Sequence, residues 1–177
     1  MVLTDASVWA KTTFERAQLS DIRRTKRLIN LASQLAAHTG KSIVQALDSS
    51  AAIEAAYRFV RNDDISAQAI AESGFAATLQ ASKEFNCLLA LEDTTSLEFS
   101  HDSVADELGH TTSHKSSRGL QAHSVLLFAP DKQHVVGLIE QQRWARDVNR
   151  YGQKKDHAKR AYEDKCQRQS NFDPLTA

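Results

Sequence analysis

The hydrophobic period of this chain changes near Asn86, and that change restricts it to folds in which helices come first and strands follow. Up to Lys83 the apolar residues recur at spacings of three and four, as one side of a helix requires. Beyond Asn86 the apolar residues come in short runs of strand length, separated by polar and turn-forming segments. The expected class is α+β. Residues 1–83 form an all-helical domain, 84–145 hold three antiparallel strands, and 146–177 are a basic, poorly ordered tail.

Within the helical part, Thr4 or Asp5 caps a first helix to about Ala17, with Val8, Trp9, Phe14 and Ala17 on one side. Ser20 or Asp21 caps a stronger helix that ends near His38, where Gly40 stops it. Its inward positions are Leu28, Ile29, Ala32, Leu35 and Ala36. Ser42 to Leu47 reads as a short helical turn. Ala51 to Arg61 reads as a helix with Ile53, Ala56, Tyr57 and Val60 as its core stripe, and Ser66 caps a last helix over Ala67 to Lys83.

Arg23, Arg24, Lys26 and Arg27 crowd the first two turns of the second helix, largely off its apolar stripe. Cations there oppose the helix dipole at a cost of a few tenths of a kcal/mol each. They are therefore not placed for helix stability, and a phosphate partner rationalises them as well as a solvated basic face does.

The first strand is the run Leu88 to Leu91, which delivers Glu92 and Asp93 to its end before the hydroxyl-rich Thr94-Thr95-Ser96. A carboxylate in that position can face solvent while the strand beneath fixes it, so Asp93 is the candidate for chemistry. Bonding to nearby backbone N–H groups in a polar turn is the plainer alternative. Ser100 to Gly119 reads as a polar loop carrying His101, His110 and His114, with Asp102 to Leu108 as one helical turn. No helical His pair or Cys partner accompanies these histidines, so a metal site is not indicated by their spacing. Ala122 to Ala129 and His134 to Trp144 are the second and third strands. Their short connection through Pro130-Asp131-Lys132 makes them an antiparallel hairpin. Apolar residues on both faces of the second strand mark it as central.

Formal net charge is zero, so no global field selects a partner, but the distribution is uneven. Glu84 to Glu107 contains seven acids and no Lys or Arg, while Arg16 to Lys41 and Arg143 to Arg168 are rich in cations. Cys87 and Cys166 lie far apart without ligand spacing, so neither a disulfide framework nor a zinc site is indicated. The N-terminus lacks the pattern of a secretory signal and no apolar run approaches membrane-spanning length, so a cytoplasmic protein without a membrane partner is expected.

Seven segments stand in a consistent order: Trp9-Ala-Lys, Asp21-Ile-Arg-Arg-Thr-Lys-Arg-Leu28, Gly40-Lys-Ser-Ile43, Ala56-Tyr-Arg-Phe-Val-Arg-Asn62, Leu89-Ala-Leu-Glu-Asp-Thr-Thr-Ser-Leu97, Lys115-Ser-Ser-Arg-Gly119 and His123-Ser-Val-Leu-Leu127. On these segments the chain resembles the N-terminal part of the bacterial cut-and-paste DDE transposases of the Tn-five (insertion-sequence-four) group, over about Trp9 to Arg160. The resemblance implies that the helical domain binds double-stranded DNA at transposon ends, with Arg23, Arg24, Arg27, Lys41 and Arg58 as contacts. His38 departs from the pattern, which leaves the recognised end sequence open. The resemblance also implies that the strands begin a ribonuclease-H-like catalytic domain, with Asp93 as the first of its metal-binding carboxylates and Mg2+ (or Mn2+) as the cofactor.

The second Asp and the Glu of that set lie, in the family, C-terminal to anything matched here. One carboxylate cannot hold two hard cations, which need several oxygen ligands. After Tyr162-Glu-Asp-Lys165 the sequence also departs from the family. The expectation is a truncated transposase that binds ends, does not catalyse alone, and pairs with itself or a full-length transposase. The alternatives are a strand transferase or nuclease completed by another chain, and a non-functional remnant.

Overall fold

The computed structural model describes residues 5–99, 108–111 and 117–147. Among these residues five helices precede four strands: α1 (Ala6–Phe14), α2 (Ile22–Ala37), α3 (Ile43–Ala46), α4 (Ser50–Val60), α5 (Ala67–Ser82), β1 (Leu89–Glu98), β2 (Gly109–His110), β3 (Arg118–Ala129) and β4 (His134–Trp144). The class is α+β, with the helices and strands segregated along the chain. The tail beyond Asp147 lies outside the described residues, as do His101, His114 and the turn expected from Asp102.

Side-chain caps begin four of the helices. Asp5 accepts from the Ser7 N–H, Asp21 from Arg23, Ser49 from Ala52 and Ser66 from Ala69, each satisfying a donor that the first turn leaves without a partner. Ser42 and Gln45 form a capping box around α3. His38 caps the end of α2, and Gly40 takes φ +81° in the turn from His38 to Lys41 that follows it.

One apolar cluster joins these helices: Ala17, Leu19, Leu28, Leu31, Leu47, Ala56 and Phe59, with Phe14, Ile53, Ile65 and Ile70 packed against it. Two expected stripes are displaced. Ala10 is fully buried in α1, whereas Val8 and Trp9 are exposed and Trp9 meets Phe14 edge-on. In α4 the inward residues are Ala56 and Phe59, and Val60 is 64% exposed. Phe59 offers the larger apolar surface, and turning it inward carries Tyr57 and Val60 outward.

Polar links close the helical part. The Ser73 hydroxyl donates to the Thr13 carbonyl at 2.8 Å, joining α5 to α1, and the buried Thr25 hydroxyl donates to the Ala17 carbonyl at 3.2 Å. A β-carbon at Gly137 would run into the Thr78 hydroxyl, so α5 and β4 approach more closely there than a side chain permits.

In the sheet, β3 pairs with β1, β2 and β4 and is the central strand, as expected. Three bonds define β1 against β3: Thr94 Oγ1 with His123 Nδ1 at 2.9 Å, Ser96 Oγ with Gln121 Oε1 at 3.2 Å, and the Phe99 N–H with the Arg118 carbonyl at 2.9 Å. As one residue number rises the other falls by the same amount, which is an antiparallel register. A β-carbon at Gly119 would meet the Leu97 carbonyl oxygen, so this register requires glycine there.

Two expectations about the sheet are corrected. β1 does not end at Asp93 but runs through Glu98, because the β-branched Thr94 and Thr95 suit a strand and Thr94 and Ser96 bond across to β3. The segment read as a polar loop contains β2, where Gly109 faces Gly119 and His110 faces Arg118, and β3 starts at Arg118, ahead of Ala122. The Arg118 guanidinium donates to His110 Nδ1 at 2.9 Å, which accounts for one of the three loop histidines.

By Cα proximity the chain forms two compact units. Among the described residues, one takes in 5–91 and Val125–Glu140, and the other the described residues of 92–124 and 141–147. In the second unit the hydroxyls of Thr111 and Ser117 each lie 2.8 Å from Glu98 Oε1, and together they hold the Glu98 carboxyl below its ordinary range.

Candidate nucleic-acid interface

The α2 helix has a divided surface. Thr25, Leu28 and Leu31 face the core, and Arg23, Lys26, Arg27 and Asn30 face solvent. Arg23, Arg27, Asn30 and Gln34 follow one another at spacings of four, three and four, so they form a single row along the helix. Lys41 follows the C-terminal end. With about 1.5 Å of rise per residue, the helix that separates Arg23 from Lys41 is about 24 Å long.

The cations along this helix differ in what already holds them. Asp21 accepts from the Arg23 backbone N–H at 2.8 Å and from its guanidinium at 2.7 to 3.2 Å. The guanidinium first, then the backbone N–H, pull the Asp21 carboxyl down to about 2 and raise Arg23 in turn. Arg24 is mostly covered: its Nη2 lies 2.6 Å from Asp64 Oδ2, and its Nη1 reaches the Leu19 and Asp64 carbonyls. These carboxylates offset the dipole conflict noted in the sequence. Lys26, Arg27 and Lys41 have no carboxylate partner among the described residues.

Arg27 lines a shallow groove with Asn30, Leu31 and Gln34 of α2, Leu47, and Ala52 and Ala56 of α4. Arg58 stands elsewhere on α4, about 200° around the helix from Ala56, and pairs with Glu54 one turn away. Beside it the Arg61 guanidinium lies 5.4 Å from the Tyr57 ring centre. Arg23 and Arg27 therefore share the α2 row, Arg24 braces the start of that helix, and Arg58 belongs to a different face. Sequence reasoning missed Asn30 and Gln34, although their spacing from Arg27 was available.

Asp93 is exposed on β1 and accepts from the Thr95 hydroxyl at 3.1 Å. Side chains alternate along a strand, so Asp93 lies on the opposite face from Glu92, whose Oε2 is 3.9 Å from His123 Nε2. Among the described residues no group of three or more His, Cys, Asp or Glu is placed to hold a metal ion. Asp93 by itself offers two carboxylate oxygens, whereas a two-metal centre takes several converging oxygens.

A small helical core whose second helix turns a row of cations and amides to solvent has the form of a nucleic-acid-binding module. Residues 6–65 match the family described as transposase DNA-binding. The match takes in α1 to α4 and the turn bearing Asp64, about a third of the chain. It supports a transposase N-terminal DNA-binding domain, with DNA as its partner. No described helix is long and apolar enough to cross a membrane.

Proposed function

We propose that this chain recognises the ends of a mobile element of the Tn-five, cut-and-paste type, using α2 to enter the major groove. The observation that carries this reading is Arg27, which stands in the exposed row of α2 without a carboxylate partner among the described residues, inside the stretch matched to transposase DNA-binding domains. Arg27 supplies a guanidinium that fits guanine or phosphate, while Lys41 and Arg58 add charge toward the backbone. Arg23 joins them once Asp21 releases it, and Arg24 holds the helix in place.

The strands supply the start of a ribonuclease-H-like domain, with Asp93 in the place of its first metal-binding carboxylate. Asp93 would be one ligand of a divalent cation such as Mg2+ or Mn2+, which would supply Lewis-acid chemistry for phosphoryl transfer. Asp93 offers one ligand, so strand transfer needs further carboxylates from beyond the described residues or from another chain, a full-length transposase or a second copy among them. The role proposed for these residues is end binding.

Electrophoretic shifts test this reading. The chain should retard a duplex copied from the element's ends, and the Arg27→Ala, Arg58→Ala double variant should lose preference for that duplex. Undiminished preference in a folded double variant contradicts the assignment.

A further inference from the structure

Arg27, Asn30 and Gln34 line one groove whose floor is made of Leu31, Leu47, Ala52 and Ala56. Asn30 is exposed and Gln34 half-buried, and neither side-chain amide has a hydrogen-bond partner among the described residues. The α2 row thus sets two unspent amides beside a guanidinium, with the half-buried Ala52 of α4 next to them.

These groups match the major-groove edge of an A·T pair. An amide donates and accepts from one planar group, as adenine N7 and N6 require, while a thymine methyl takes apolar contact such as the half-buried Ala52 side chain offers. A phosphate would meet only uncharged donors at Asn30 and Gln34, so these two residues add little to charge-driven affinity. Rises of about 4.5 Å and about 6 Å along α2 separate Arg27 from Asn30 and Asn30 from Gln34, which lets successive side chains reach successive base pairs.

We infer that Asn30 and Gln34 are specificity residues that read a short A·T stretch next to a guanine taken by Arg27. The inference rests on the DNA-binding reading above and goes beyond it by naming what the groove discriminates.

The test is selection of bound duplexes from a pool with a randomised centre, using the full chain. Wild type should enrich a guanine followed within about three base pairs by A·T pairs, with discrimination on the order of tenfold at each read position. The Asn30→Ala, Gln34→Ala variant should lose the A·T preference while keeping the guanine preference and the salt dependence. Asn30→Asp with Gln34→Glu, close in volume but able only to accept, should shift the preference from adenine toward cytosine. Circular dichroism melts establish that each variant is folded. The same A·T preference in both folded variants overturns the inference. Retention of DNA by wild type without any enrichment overturns it too, yet leaves DNA binding intact. No retention at all overturns both.

Discussion

Arg24 Nη2 lies 2.6 Å from Asp64 Oδ2 and joins the first turn of α2 to the turn that follows α4. The same guanidinium reaches the Leu19 and Asp64 carbonyls, so three acceptors hold a side chain that sequence reasoning placed against DNA. An arginine with these commitments orients α2, whereas Arg27 one turn away remains available to a ligand.

Stability separates the two arginines. Arg24→Ala should cost about 1 kcal/mol, since Asp64 is largely exposed and the pair is partly screened. Arg27→Ala should change stability by less than about 0.5 kcal/mol. Urea unfolding of both variants measures this, and equal midpoints would contradict the assignment of Arg24 to the scaffold.

Asp21 makes the helical part sensitive to acid. Its carboxyl is held at about 2, below the ordinary 3.8, by the Arg23 guanidinium and backbone N–H. A depressed folded-state value means that the contribution is complete above about 4 and is lost as pH falls through about 2. Asp21→Asn keeps a capping oxygen but loses the charge. The difference in melting temperature between wild type and this variant should shrink from pH 5 to pH 2. A constant difference would rule out Asp21 titration as its source.

The helices were largely legible because capping is local: Asp5, Asp21, Ser49 and Ser66 sit beside the turns they cap. The rotation of α4 was less so, because its period admits either Phe59 or Val60 inward and tertiary packing selects Phe59. β2 escaped notice because two residues, Gly109 and His110, carry no period, and their pairing partners are in β3. The polar Glu92 to Ser96 looked like the end of a strand, yet Thr94 and Ser96 are cross-strand partners. In the candidate interface the arginines drew attention by charge. Asn30 and Gln34 carry none, and only the groove they share with Arg27 sets them apart.

Gly119 is a packing requirement of the β1–β3 register. Gly119→Ala drives a methyl group toward the Leu97 carbonyl and should destabilise the pairing by about 1–3 kcal/mol. Hydrogen exchange at the amides of Thr94 to Glu98 should quicken relative to wild type. Unchanged protection would show that the strands accommodate the methyl group.

Asp93 contributes to neither the helical core nor the α2 row. Asp93→Ala should leave DNA affinity and melting temperature within error of wild type, and neither protein alone should nick duplex DNA in Mg2+ or Mn2+. A metal-dependent nick made by wild type and abolished in the variant would show instead that the chain completes a catalytic centre, by itself or as a multimer.

The central claim is that α2 gives a chain of zero net charge a specific grip on DNA. The most direct measurement is affinity for a duplex copied from the element's ends against a scrambled duplex of equal composition, taken across a series of salt concentrations. The account predicts tighter binding to the end duplex at every salt concentration, affinity falling steeply as salt rises, and loss of the end preference in the Arg27→Ala, Arg58→Ala variant. Equal affinity for the two duplexes, or an end preference undiminished in the folded double variant, would contradict it.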